Sequence, residues 1–269
     1  MTSSTPATPR KSSSLTERRK AATRMEIARA AARLFVTQGL RATRAEDIAR
    51  AAGIAPRTFY RYFATKEEAV APLYAEGARR WTDAVRDAPA HLPVTQALDH
   101  AVRHTFTPGA GISAASWQWV RTLIRMADGH PAVRKVWAEV CQTSERTLAE
   151  VLAARARTAA GTRTAAGGGG GAVAATDSAA ATDSAAAGGG AVAGGPDNVA
   201  QDLFPQLRFA AACAAAAVRV AVEAWAIGEA PAEGPEGPAA LALRNLAALR
   251  DFTWEPGQPG QPGEPGRTV

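Results

Sequence analysis

An all-α fold is what this chain predicts, on three observations. Apolar residues recur at helical spacing, as in Ile27, Ala31, Leu34 and Phe35. The composition is 46% hydrophobic but only 6% aromatic. The core must therefore be built from Ala, Leu and Val, and an Ala-rich chain with few β-branched runs favours helix over sheet. Capping signals and Gly/Pro breaks punctuate the pattern. The 269 residues suffice for one large domain or two smaller ones with ample core.

Residues 1–15 are rich in Ser, Thr and Pro and lack an apolar run, which predicts a disordered tail rather than a signal peptide. A first helix is expected from Thr16 to Gln38, stopped by Gly39. Thr43-Arg44-Ala45-Glu46 reads as a capping box, with Thr43 as N-cap and Glu46 reaching back. That helix runs to Ala52. Gly53 permits a sharp turn through positive φ, Ile54 plugs the corner, and Pro56 opens a helix to Phe63. Thr65 to Glu68 is a second capping box, opening a helix toward Asp87 that Pro72 should kink or break.

Pro89 and Pro93 bracket a loop before a helix from Val94 to Phe106. A break at Pro108 to Gly111 precedes helices at Ile112 to Met126 and Pro131 to Arg157. Thr158 to Asn198 is low complexity, with five consecutive glycines and ATDSAA written twice. Lacking large side chains to offset chain entropy, it is expected to be a flexible surface insertion. Leu203 to Ile227 and Pro238 to Phe252 read as two long helices. Residues 255–269 form a Pro/Gly tail.

Charge narrows the function. The net is +6, yet Arg10 to Lys66 holds 14 Lys/Arg against 4 Asp/Glu. This basic first quarter sits on a mildly acidic body, which suggests a polyanion partner at one end only. Phe59 and Phe63, four apart, share a helix face and can anchor on Ile48, Leu34 and Phe35. Arg57, Tyr60 and Arg61 then point away, flanked by Thr58 and Tyr62. Guanidinium suits guanine, a Thr methyl suits thymine, and a phenol suits phosphate. Two short helices about a glycine turn are the outline of a helix-turn-helix for the DNA major groove.

Other chemistries find little support. Cys141 and Cys213 have no C-x-x-C pairing, which argues against a disulfide framework or zinc site and fits a reducing cytoplasm. His100 and His104 are four apart, but a third ligand and H-E-x-x-H are lacking. No G-x-S-x-G, P-loop or strand-borne G-x-G-x-x-G occurs, so neither enzyme activity nor a cofactor is expected. Phe209 to Ile227 is the most apolar window. Arg219 and Glu223 interrupt it, so a buried helix is expected and not a membrane span.

The segment from Arg24 to Tyr74 resembles the DNA-binding domain of the TetR family of bacterial transcriptional regulators. The resemblance lies in A-x-x-L-F at Ala31 to Phe35, G-L-x-A-T at Gly39 to Thr43 and D-I-A at Asp47 to Ala49. It continues in A-A-G-I at Ala51 to Ile54 and T-F-Y-R-Y-F-x-x-K-E at Thr58 to Glu67. It implies a three-helix head over 16–65 and a helical ligand-binding and dimerisation domain over 66–254, acting as a homodimer on a double-stranded operator. By matching positions, Thr43, Arg44, Arg57, Thr58, Tyr60, Tyr62 and Lys66 are the DNA-contacting set. Thr43, Tyr60 and Lys66 would hold phosphates, while Arg57 and Thr58 would read bases. Pro56 departs from the family's polar residue there and is left with apolar contact.

The resemblance implies a repressor released by a small effector, with a ligand-independent co-regulator or an activator as the alternative. An apolar or acyl-type effector with an anionic end would suit Trp117, Trp119, Arg121, Arg125, Trp137 and Cys141. The family's dimer is a four-helix bundle of the last two helices. Leu203, Phe204, Leu207, Val218, Val222, Leu243, Leu246 and Leu249 are the matching packing residues.

Overall fold

The computed structural model describes residues 14–107, 114–167 and 196–249. Among the described residues every regular element is helical. Helix α1 spans Leu15–Gln38. It begins one residue earlier than expected because the Ser14 hydroxyl accepts the Glu17 N–H at 3.2 Å, a side-chain N-cap. It stops at Gly39, whose φ of 85° is open to glycine and whose N–H donates to Phe35 O at 3.1 Å. Ile27, Ala31 and Phe35 are buried as the periodicity required, while Leu34 is only half-buried.

Helix α2 spans Ala45–Ala51 and α3 spans Pro56–Tyr62. A 3-10 turn, Glu67–Val70, then leads into α4, Ala71–Asp87. Half of the Thr65 capping box forms: Glu68 N–H donates to Thr65 Oγ1 at 3.3 Å, but Glu68 Oε2 accepts the Ala64 N–H, at 3.0 Å, in place of that of Thr65. The 3-10 turn also explains Pro72. The α-helix proper starts at Ala71, so Pro72 falls in its first turn, where a missing N–H costs nothing. No kink is needed.

Helix α5 spans Val94–Phe106, α6 Ala114–Gly129, α7 Pro131–Gly167, α8 Pro196–Ile227 and α9 Pro238–Ala247. The expected break at Pro108 to Gly111 and the tails at 1–13 and 255–269 lie outside the described residues. The expected insertion, 158–198, is helical at both ends. Helix α7 continues to Gly167 because Ala and Arg favour helix. The Thr158 and Thr162 hydroxyls donate to the carbonyls four residues back, at 3.1 and 3.0 Å. Residues 168–195 of that stretch are not among those described.

The chain divides into two compact units. The first comprises Met1–Arg80, Ala115–Gln142 and Ala226–Glu229. The second comprises Trp81–Ala114, Thr143–Trp225 and Ala230–Val269. In the second, Val85, Leu98, Val102, Leu148, Leu152 and Leu207 close one apolar core with the small residues Ala210, Ala211 and Ala214 of α8. Alanines let helices approach closely, so small side chains can fill a core with few aromatic residues.

That core corrects the expected dimer residues. Leu207, Val218 and Leu246 are buried in it, Val222 is buried too, and Leu243 and Leu249 pack against it. The four buried side chains are consumed by their own subunit's core and have no surface left for a second copy, whereas Leu243 and Leu249 stay half-buried. The side chains of Leu203 and Phe204 lie outside those described. Helix α8 instead exposes Phe209, Val220 and Ile227. By length and mean hydropathy, 1.6, its stretch Pro205–Ile227 would pass for a membrane span. However, its buried face is the core wall just described.

Candidate nucleic-acid interface

The first unit carries the helix-turn-helix. Gly53 has φ of 68°, and Ile54 N–H donates back to Ala49 O at 2.9 Å. These two residues turn the chain from α2 into α3. Phe59 and Phe63 are buried, with ring centroids 5.8 Å apart, so one face of α3 is an aromatic anchor in the head. Tyr60 meets the Phe59 ring edge-on at 5.4 Å, a favoured aromatic geometry. On the opposite face Pro56, Arg57, Tyr60 and Arg61 are exposed, while Thr58 and Tyr62 are half-buried at its margins. The guanidiniums of Arg44 and Arg57 meet no protein acceptor among the described residues. They are therefore available to a polyanion.

Three expectations for phosphate contact are corrected. The Thr43 side chain is fully buried, and both its hydroxyl and its N–H donate to Gly39 O, at 2.9 and 3.3 Å. Thr43 therefore closes the end of α1 and does not cap α2. The N-cap is Arg44, whose N–H donates to Asp47 Oδ2 at 3.1 Å. Lys66 points inward as well: its Nζ donates to Leu40 O at 2.7 Å and Thr43 O at 2.8 Å. These two short charge-assisted bonds hold the ammonium against the carbonyls of a tight loop. Tyr60 remains outside, but its hydroxyl donates to Glu46 Oε1 at 3.3 Å. A phenol has one proton to give, so the same O–H cannot also serve a phosphate. Partial desolvation first, and the Glu46 carboxylate next, push the phenol of the exposed Tyr60 above its ordinary value.

Arg24 does a job that the sequence does not signal. Its Nη1 donates to Tyr62 O at 3.0 Å, and its guanidinium carbon lies 4.6 Å from the centre of the Phe63 ring. A cation at the C-terminal end of α3 meets that helix's negative dipole end and fixes its tilt against α1. No local pattern signals it, since the partner lies 38 residues away.

The residues expected to bind an effector fall on α6 and α7 within the same unit. Trp117 is 2% exposed and Arg121 8% exposed, whereas Trp119 is exposed on the surface. Arg125 is corrected as an anion-holder because it is already engaged. Its Nε donates to Ala226 O at 2.6 Å, and its Nη2 donates to Gly228 O at 2.8 Å and the Glu229 carboxylate at 2.6 Å. It caps the C-terminal end of α8. Trp137 meets the Tyr74 ring edge-on at 5.1 Å, and the Tyr74 hydroxyl donates to Leu123 O at 2.7 Å. Burial, then the neighbouring Cys141, raise the Tyr74 phenol strongly. Cys141 and Cys213 are half-buried thiols. His100 and His104 stack with parallel rings at 6.4 Å, and no group of three or more metal-ligating side chains occurs among the described residues.

Residues 27–71 match the family described as bacterial regulatory proteins, tetR family. The HTH-type transcriptional regulator TcmR of Streptomyces glaucescens is 31% identical over 144 residues. That alignment covers 52% of this chain and 63% of TcmR, so the chain spans somewhat under two thirds of this relative. Among solved structures, FadR of Thermus thermophilus, a TetR-family repressor in complex with lauroyl-CoA, is 19% identical. It superposes over 90% of this chain and 100% of its own, with a TM-score of 0.48. A putative TetR-family regulator from Mesorhizobium loti is 15% identical over 86% of this chain and 96% of its own, with a TM-score of 0.44. Residues 27–71 of this chain are thus a head of the kind found in the tetR family of bacterial regulatory proteins.

Proposed function

We propose that the chain is a homodimeric repressor that releases a near-palindromic operator when a small apolar or acyl-type effector binds its helical second part. The observation that carries the reading is the two-faced α3. Its Phe59 and Phe63 face is sunk in the head, and its Arg57, Thr58 and Tyr60 face is presented outward. Arg57 and Thr58 read bases, Arg44 and Tyr62 lie beside the backbone, and Pro56 gives apolar contact.

Dimerisation is supported by a stripe on α8. Phe209, Cys213, Ala216 and Val220 follow one another at helical spacing, and Phe209 and Val220 are 58% and 47% exposed. Apolar side chains left in water along one helix face favour burial against a second copy. Residues 16–65 then form the DNA-binding domain, and 66–254 hold the effector and dimer functions.

The coupling route is Tyr74. It lies on α4, directly after the head, hydrogen-bonds α6 at Leu123 and meets Trp137 of α7 edge-on. A ligand that favours another placement of α6 and α7, near Trp117, Arg121, Trp137 and Cys141, would shift α4 and the head with it. The reading needs no cofactor, metal or catalytic step, and it places the protein in the cytoplasm with its DNA.

The test is fluorescence anisotropy of purified full-length chain on a duplex selected from genomic fragments, titrated with acyl-CoAs and free fatty acids of several lengths. Release by at least one class, with two subunits per duplex throughout, is the expected result. Tight operator binding unmoved by every ligand would overturn the effector half of the reading. One subunit per operator would overturn the dimer.

A further inference from the structure

The surface around the turn is basic, with Arg44, Arg50, Arg57 and Arg61, yet it holds two carboxylates. Asp47 is compensated: Oδ2 takes the Arg44 N–H at 3.1 Å and Oδ1 faces Arg50 Nη1 at 3.3 Å. Glu46 is not. It is exposed, no Lys or Arg stands within ion-pair distance of it among the described residues, and its contact is the Tyr60 hydroxyl at 3.3 Å. Tyr60 is 52% exposed on the outer face of α3. The carboxylate is thus held against the DNA-reading face of the recognition helix from α2, across the turn.

A bare carboxylate there opposes phosphates and costs affinity. What it can return is discrimination. In the major groove the base-edge donors are the amino groups of cytosine and adenine, while guanine and thymine present O6 and O4 acceptors. Adenine sets its N7 acceptor beside the amino group, where a carboxylate is repelled, and cytosine does not.

We propose that Glu46 is a specificity-determining residue. The Tyr60 hydroxyl steadies one carboxylate oxygen, and the other accepts from the N4 amino group of a cytosine at one position of each half-site. This rests on the reading that the head places α3 in the major groove.

The test uses the full chain and a randomised duplex library, selected in parallel by wild type, Glu46→Gln, Glu46→Ala and Tyr60→Phe. Anisotropy on single-base-pair variants of the preferred duplex follows. Wild type should favour cytosine at one position by about tenfold. Glu46→Gln, which can pair with adenine N6 and N7, should move the preference there to adenine and leave other positions alone. Glu46→Ala should lose the preference at that position and bind unrelated DNA several-fold more tightly. Tyr60→Phe should keep cytosine with a reduced ratio. The same base selected with the same ratio by wild type, Glu46→Gln and Glu46→Ala would overturn the proposal while leaving the head's DNA reading intact. A wild type with no sequence preference at any position would instead bring down the underlying reading of α3.

Discussion

The arginines of α3 and the arginine at the end of α6 are chemically identical and do opposite things. Arg57 stands in solvent with its fork of donors unspent. Arg125 has spent its fork on the last carbonyls of α8 and on Glu229. The second unit repeats the Arg125 pattern, with Arg155 donating to Ala88 O at 2.7 Å and Pro89 O at 2.9 Å. The contrast teaches that a guanidinium is a ligand-binding group only where the fold has not already used it as a cap. Basic residues in a sequence count as polyanion sites only after their carbonyl partners are subtracted. Lys66 makes the point within the head itself, being basic, next to α3 and turned inward.

The contrast can be broken by substitution. The largest effect is expected at Lys66→Met. Two charge-assisted bonds to a tight loop vanish, at a cost of about 3 kcal/mol of stability, and DNA binding falls only because the head loosens. Thermal melting beside anisotropy would check this, and DNA binding lost at unchanged melting temperature would restore Lys66 as a direct contact. Arg57→Ala should do the reverse. It should leave melting unmoved and cost about 2 kcal/mol of specific binding, with unrelated duplexes affected far less. Arg125→Met should cost about 2 kcal/mol of stability through the α8 carbonyls, since the exposed Glu229 pair contributes little.

Two smaller effects sharpen the contrast further. Gly53→Ala forces a side chain into positive φ at the turn, and about 1 kcal/mol should be lost from the head. Tyr74→Phe removes one hydrogen bond, about 1 kcal/mol at neutral pH. Its pH signature is distinct. The folded phenol is held above its unfolded value, so wild-type stability is intact below about pH 10 and declines as pH rises beyond it. Denaturant melts from pH 7 upward should show the wild-type advantage over Tyr74→Phe shrinking only on the alkaline side.

The helices were legible because burial repeats with the helix period. Ile27, Ala31 and Phe35, or Phe59 and Phe63, declare their face from spacing alone. Gly39, Gly53 and Thr65 marked ends and turns because backbone chemistry at those positions is local. What could not be read was any contact without a period. Lys66 reaches Leu40 across 26 residues, and Arg125 reaches Ala226 across 101. Thr43 failed for a subtler reason. Thr43 and Asp47 both offered capping oxygens to the same helix start, and the positive-φ end of α1 drew the threonine away. On α8, apolar residues line nearly the whole circumference. Hydrophobicity alone could not separate the core leucine, Leu207, from the exposed Phe209 two residues on.

One measurement tests α3 as a reading helix most directly: binding of purified full-length chain to genomic fragments, followed by sequencing of what it retains at increasing salt. Such a helix requires a discrete set of fragments sharing two inverted half-sites about one helical turn apart. Their retention should survive salt that strips unrelated DNA, and Arg57→Ala should lose them. Retention that tracks salt alone, with no shared sequence and no difference for Arg57→Ala, would contradict the assignment of α3 as a reading helix.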